Sequence, residues 1–272
     1  GRTPNPDIIC NKEIKFRAFL DYAIALNCDY IATGHYARCE TDKSSTNLKK
    51  GNDANKDQSY FLHTLSANQL EKALFPLGEM PKSDVRAIAK AENFAVHDKK
   101  DSTGICFIGE RKFKDFLKKY IPAQPGDIVT LKGEAIGSHE GVMFYTMGQR
   151  QGLGIGGQRN LPEDPWYVVD KDITTNQLFV AQGHDHSALF HSTILTQEIH
   201  WIAGSPPSDA QNIKAKIRYR QADQPCVINA ITDTNYEISF VNPQWAVTPG
   251  QSVVFYQQDT CLGGGIIKAR RT

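Results

Sequence analysis

Two changes of texture along the 272 residues predict an α/β segment, then a small β-rich unit, then a C-terminal antiparallel β-barrel. Up to Tyr120, apolar residues recur at helical three- and four-residue steps around one short apolar run that ends in Gly34-His35. Ile121-Pro122-Ala123-Gln124-Pro125-Gly126 then reads as a linker, and beyond it short apolar runs alternate with turn residues. The divisions fall at 1–120, 121–190 and 191–272. Hydrophobic residues make up 40% and charged residues 22%, as in a globular protein, and no apolar run approaches the roughly 20 residues of a membrane span. A net charge of +1 does not announce a nucleic-acid partner, so such a partner has to be read from local clusters. Six cysteines with no Cys-x-x-Cys pair and no signal-peptide pattern point to a reducing compartment, the cytoplasm or an organelle matrix.

Taken in order, the two prolines of Gly1-Arg2-Thr3-Pro4-Asn5-Pro6-Asp7-Ile8-Ile9-Cys10-Asn11 predict a rigid extended loop. Ile14, Phe16, Phe19, Leu20, Ala23, Ile24 and Leu26 predict an amphipathic helix from Lys12, capped by Asn11, so that Cys10 would precede a helix start. Asp29 to His35 reads as a strand of an open α/β sheet, where ligands bind beyond the carboxyl ends and a glycine admits a nucleotide. The alternative is that Gly34 only turns the chain and His35 lies on the surface. Cys39 to Lys56 is polar and reads as a surface loop or hairpin; Asp57 is a plausible cap for a helix that follows. A charged, amide-rich turn of this kind suits RNA phosphates and bases, and equally suits plain solvation. Lys82 to Glu92 reads as a further helix.

Cys106 lies between Gly104 and Gly109, ahead of a helical pattern made by Phe113, Phe116, Leu117 and Tyr120, with Arg111, Lys112 and Lys114 nearby. Glycine hinges, a helix N-terminus and cations favour a thiolate there. A buried structural cysteine is the competing reading. Cys28, Cys39, Cys226 and Cys261 read as structural.

In the middle segment, strands are expected at Ile128 to Leu131, Val142 to Tyr145, Trp166 to Val169 and Leu178 to Ala181. The glycines of Gly148 to Gly157 do not make a dinucleotide fingerprint, because no helix follows them; they read as a basic loop. Ile213 to Arg220 alternates, which would line Lys214, Lys216, Arg218 and Arg220 on one strand face, a set of cations suited to an anion. Lys268, Arg270 and Arg271 extend the charge, and strands at Cys226 to Ile231, Tyr236 to Val241, Ser252 to Tyr256 and Cys261 to Ile267 complete the expected barrel.

Thr3-Pro4-Asn5-Pro6-Asp7-x-x-Cys10-Asn11, Ala32-Thr33-Gly34-His35-Tyr36, Asn55-Lys56-Asp57-Gln58-Ser59-Tyr60, Asp101 to Gly109 around Cys106, and Pro249-Gly250-Gln251 occur in one order along the chain. Together they resemble the tRNA-specific 2-thiouridylase family over nearly the whole length. The resemblance implies the remainder of a Rossmann-like ATP-pyrophosphatase (PP-loop) domain, a small central domain and a tRNA-binding barrel. It implies ATP-dependent 2-thiolation of the wobble uridine: ATP, with Mg²⁺, adenylates the carbon-2 oxygen, and sulfur from a persulfide on Cys106 replaces it. Cys10 would be the partner thiol, completing transfer either through a Cys10–Cys106 disulfide or by releasing sulfide. Asn5, Pro6 and Asp7 would frame the target base, Gly34 would border ATP, and His35, Lys56, Asp57, Gln58, Arg218, Tyr219 and Gln251 would touch tRNA. A persulfide-carrying donor protein is the implied second partner; no resident metal and no membrane is implied. The family's Ser-Gly-Gly-x-Asp-Ser phosphate loop does not occur in these residues. The chain is therefore expected to be truncated at its N-terminus, incomplete in ATP binding and inactive alone. A stand-alone RNA-binding module and a different ATP-pyrophosphatase, such as an amide-forming ligase, are the competing readings.

Overall fold

The structure, a computed structural model, describes residues 1–41, 45–99, 116–156, 164–232 and 234–271. The chain opens with a continuous helical run: α1 (Pro6–Ile9), a π-helical segment (Cys10–Phe19) and α2 (Leu20–Ala25). The expected start at Lys12 is therefore wrong. Asn5, extended at φ −100°, accepts from the backbone N–H groups of Asp7 and Ile8, and Pro6 occupies the first turn, where a missing N–H costs nothing. The expected apolar face also divides. Ile8, Asn11, Phe16, Leu20 and Ala23 are buried, with a five-residue step from Asn11 to Phe16 that matches the wider π-helical turn. Ile14, Phe19, Ile24 and Leu26 are left exposed.

Strand β1 (Ile31–Ala32) pairs in parallel with β4 (Ala73–Leu74), as expected of an α/β sheet. Between them, β2 (Ala37–Thr41) and β3 (Thr46–Lys50) form a hairpin, but not the surface one expected: Leu48 and Thr46 are buried, because β3 is covered by the first segment's core. The predicted helix after Asp57 is a single 3₁₀ turn, Ser59–Leu62. α3 (Ala67–Glu71) carries a capping box between Ser66 and Gln69, and α4 (Lys82–Ala91) matches the expected helix.

The middle segment is a four-stranded sheet of order β6-β5-β8-β7, from β5 (Gly126–Thr130), β6 (Ala135–His139), β7 (Trp166–Asp172) and β8 (Gln177–Gln182). β5 and β8 are parallel and the other pairs antiparallel. The strand expected at Val142 to Tyr145 is instead a 3₁₀ turn, Val142–Phe144, entered through Gly141 at φ +146°. β6 is absent from the sequence reading.

The last segment contains β9 (Phe190–Trp201), β10 (Lys214–Lys216), β11 (Gln224–Ala230), β12 (Asn235–Trp245), β13 (Ser252–Gln257) and β14 (Thr260–Arg271). Their order, β13-β10-β11-β12-β9-β14, closes through β13–β14 into a six-stranded antiparallel barrel. β14 also pairs with β3, Cys261 opposite Leu48, so the hairpin extends the barrel sheet. One core consequently runs from the first helix into the barrel wall: Phe16, Leu20, Leu48, Tyr60, Leu62, Ile202, Val254 and Tyr256 are buried in one cluster. That shared core fixes the N-terminal helix relative to the barrel. Among the described residues, no helix is long and apolar enough to cross a membrane.

Candidate functional site

The barrel holds the N-terminal segment by its backbone. Thr3 N–H donates to the Pro249 carbonyl at 3.1 Å, and Gln251 Nε2 donates to the Thr3 carbonyl at 2.6 Å. The Thr3-to-Asp7 and Pro249-to-Gln251 motifs are therefore in contact. Gly250 makes this possible, because its φ is +98° and a Cβ there would lie 2.8 Å from Thr3 N. Gly250→Ala is expected to release residues 1–5. Faster proteolysis ahead of the helix, with the barrel still folded, would be its signature.

Asp7 lies in the first turn of α1 and Cys10 begins the π-helical segment, with its N–H donating to the Pro6 and Asp7 carbonyls. Cys10 thus sits one turn inside a helix rather than ahead of one, and is half-buried. Burial raises the Asp7 carboxyl above its usual range, and the Lys15 ammonium works against that rise. His35 is buried between Phe16 and Phe75, their ring centroids 6.0 and 6.1 Å away, and its Nδ1 shares a 2.9 Å hydrogen bond with Thr33 Oγ1. Burial, aided by Lys15, lowers its imidazole to about 4, so the ring is neutral near pH 7. The Lys15 charge therefore acts on both groups, a role that sequence reasoning missed. In an ideal α-helix, residues eight apart lie about 80° from one another; the wider π-helical turn rotates less per residue and brings Lys15 back toward Asp7.

Gly34 is exposed at the carboxyl end of β1, and a Cβ there would meet only Leu77 Cδ1, at 3.7 Å. That open approach to the backbone fits a nucleotide at the end of a parallel strand.

A second group of contacts joins two other motif segments to each other and to Tyr219. Gln58 exchanges two hydrogen bonds with Tyr36: its N–H donates to the Tyr36 carbonyl at 2.8 Å, and its Oε1 accepts from Tyr36 N–H at 3.0 Å. Tyr219 Oη donates to the Lys56 carbonyl at 3.2 Å, and its ring packs 4.5 Å from that of Phe61. Asn11 Nδ2 donates to the Phe61 carbonyl at 3.3 Å, tying this group to the Cys10 helix. Asp57 is 5% exposed, and its Oδ1 accepts from Gly51 and Ser59 N–H.

The expected row of four cations on one strand face does not form. β10 ends at Lys216, and Lys216 itself is buried. Arg218 turns inward, its Nη2 donating to the Met147 and Ala246 carbonyls and to Thr248 Oγ1 at 2.7 Å. Arg270 likewise donates to the Val169 and Val247 carbonyls and pairs with Asp170 at 3.0 Å. Both arginines fasten the middle segment to the barrel. Cys106 and the motif from Asp101 to Gly109 lie outside the described residues, as do Gly157, the last residue of the glycine-rich loop, and residues 158–163 after it. Among the described residues, no group of three or more His, Cys, Asp or Glu side chains is gathered for a metal ion.

Comparison with known proteins agrees along the length of the chain. Residues 1–110 match a family model described as a tRNA methyl transferase HUP domain, residues 114–182 a tRNA methyl transferase PRC-barrel domain, and residues 191–267 an aminomethyltransferase β-barrel domain. The chain is 58% identical to the tRNA-specific 2-thiouridylase MnmA of Marinomonas sp. (strain MWYL1) over 267 residues, covering 98% of this chain and 68% of that protein. It is also 58% identical to the proteins of that name from Francisella philomiragia and Proteus mirabilis, over 98% and 99% of this chain and 75% and 74% of theirs. The contacts among its motif segments and these likenesses lead to one conclusion: the chain belongs to the tRNA-specific 2-thiouridylase family.

Proposed function

We propose that this protein replaces the carbon-2 oxygen of the wobble uridine of tRNA with sulfur. The observation that carries the reading is the convergence of four separated motif segments on one helix and one barrel wall: Gln251 on Thr3, Tyr36 on Gln58, Tyr219 on Lys56, and Asn11 on Phe61. A stand-alone RNA-binding barrel would not need Asp7 and Cys10 seated on a helix docked into it. An amide-forming ligase would need neither Cys10 nor Cys106.

ATP, when bound, would supply the activation that makes the carbon-2 oxygen a leaving group, and the open backbone at Gly34 would border it. Asn5 and Pro6 fix the helix entry and hold Asp7 against the base. Cys106 carries the sulfur delivered by a persulfide donor protein, and Cys10, one helical turn from Asp7, is the thiol that completes the transfer. Lys56, Gln58 and Tyr219 belong to the tRNA surface; His35, Asp57 and Gln251, which are buried, and Arg218, which is turned inward onto Ala246 and Thr248, contribute through their neighbours. The neutral His35 imidazole holds Thr33 Oγ1 by a hydrogen bond and adds no charge to that surface.

The test is nucleoside mass analysis of tRNA incubated with ATP, a persulfide donor and a form of the protein that carries the phosphate loop these residues lack. The expected product is 2-thiouridine at the wobble position, dependent on all three. An adenylated or amidated product, or tight tRNA binding with no sulfur incorporated, would replace this reading with one of the other two.

A further inference from the structure

Four charged side chains from four separate parts of the chain meet around the ring of Tyr256. Lys50 ends β3, Asp57 precedes the 3₁₀ turn, Lys216 ends β10, and Asp223 lies just before β11. Lys50 Nζ donates to Asp223 Oδ2 at 2.5 Å. Lys216 Nζ lies 3.7 Å from Asp223 Oδ1 and 3.6 Å from Asp57 Oδ2. Both ammonium groups stand over the Tyr256 ring, 4.5 and 5.2 Å from its centroid, and the ring is completely buried. Its hydroxyl shares a 3.2 Å hydrogen bond with Ser59 Oγ, two residues after Asp57. The charges alternate in sign, Lys50, Asp223, Lys216, Asp57, and sum to zero.

Such an arrangement is a poor way to gain stability, since burying ions is costly and well-packed apolar side chains often serve as well. What it supplies is geometry, because each carboxylate can be compensated only where its ammonium partners stand. The buried Oδ2 of Asp57 has no hydrogen-bond partner among the described residues, and Lys216 stands nearest to it as counter-charge. Asp57 Oδ1 fixes the turn from the other side through Gly51 and Ser59 N–H. Lys56 and Gln58 flank Asp57, while Arg218 and Tyr219 follow Lys216 within three residues.

We propose that Lys50, Lys216 and Asp223 are positioning residues, which with Asp57 lock the Lys56-to-Gln58 turn onto the barrel so that this turn and Tyr219 meet tRNA as one fixed surface. The identity of the ligand rests on the thiolation reading above. The lock itself does not.

The experiment compares Lys216→Met and Asp223→Asn with the parent chain in two measurements. In amide hydrogen exchange, Gly51 and Ser59 exchange at least about tenfold faster in the variants, while the amides of β13 keep their protection. In tRNA binding, affinity falls at least about tenfold, while the slope of log Kd against log salt stays at the parent value, because neither residue touches a phosphate; a lost phosphate contact would reduce that slope by about one. Unchanged exchange at Gly51 and Ser59, or a slope reduced by about one, overturns the proposal. If Lys216→Met does not fold, Asp223→Asn decides, since Asp223 lies nearer the surface. If the parent chain binds no tRNA, the thiolation reading fails, and amide exchange still decides whether the turn is locked.

Discussion

In a form of the protein that carries the phosphate loop, replacing Cys10 by serine lowers 2-thiouridine formation by at least about a thousandfold, the scale of losing a reacting group, while leaving thermal unfolding unchanged. Oxygen fills nearly the space of sulfur at this half-buried position, so no cavity opens, but a hydroxyl cannot take part in thiol–disulfide exchange. The other cysteines cannot deputise. Burial pushes the thiols of Cys39, Cys226 and Cys261 up to about 12 from an ordinary 9.0, which cuts their thiolate fraction near neutral pH by about a thousandfold. Cys28 is exposed in the turn after α2, beyond the far end of the helical run from Cys10. Timed alkylation with peptide mapping checks the premise: these three thiols should label about a thousandfold more slowly folded than unfolded. Full activity in Cys10→Ser would remove Cys10 from the chemistry. Rapid labelling of Cys226 or Cys261 in the folded chain would remove the argument from burial.

The barrel was legible because turn residues separate its strands and three of its six pairings, β10–β11, β11–β12 and β13–β14, join sequence neighbours. The β1–β4 pairing was half legible: the apolar run to Gly34 announced a strand, but nothing in Ala73-Leu74 announced its partner. The helix start was misread although its signal was present. Asn5-Pro6 is a cap followed by proline, yet two prolines in four residues also read as extended loop, and only the docking of Thr3 on Pro249 and Gln251 separates the two. Alternation failed at Arg218 for a different reason. Period two describes a strand only while the strand continues, and the carbonyls of Met147 and Ala246 that draw Arg218 inward belong to segments with no pattern pointing at it. The same holds for the ion quartet: Lys50 and Asp223 look like ordinary solvated surface, and the readings of Asp57 and Lys216 as cap and anion-binding cation do not point at one another. Local chemistry was readable from sequence, but which segments face one another was not.

The protein loses stability steeply between about pH 6.5 and 4, and His63→Leu removes a large part of that loss. His63 is completely buried, neither ring nitrogen has a hydrogen-bond partner among the described residues, and a Cβ on Gly264 would come within 2.8 Å of its Nδ1. Burial lowers the ring to about 3, with His200 adding to the effect, and His35 is lowered to about 4. The sign follows from proton uptake. Below about 6.5 the unfolded chain protonates these rings while the folded chain does not, so each depressed histidine subtracts stability as pH falls, by about 1.4 kcal/mol per pH unit. For His35 the loss stops near pH 4, where the folded ring also protonates; for His63 it continues toward pH 3. His191 contributes in the same direction, and Asp7, whose carboxyl is raised by burial, partly opposes them at the acid end. Above about pH 7 all three rings are neutral in both states and the effect vanishes. Denaturant unfolding at pH 7, 5.5 and 4.5 checks it. The parent should lose on the order of 3 kcal/mol per buried ring between pH 6.5 and 4, from the shift of each pKa. His63→Leu should equal or exceed the parent at pH 7, because it replaces two unsatisfied polar atoms with apolar ones, and should show a shallower pH slope by about one proton. An unchanged slope would mean that His63 is charged or solvated in the folded protein.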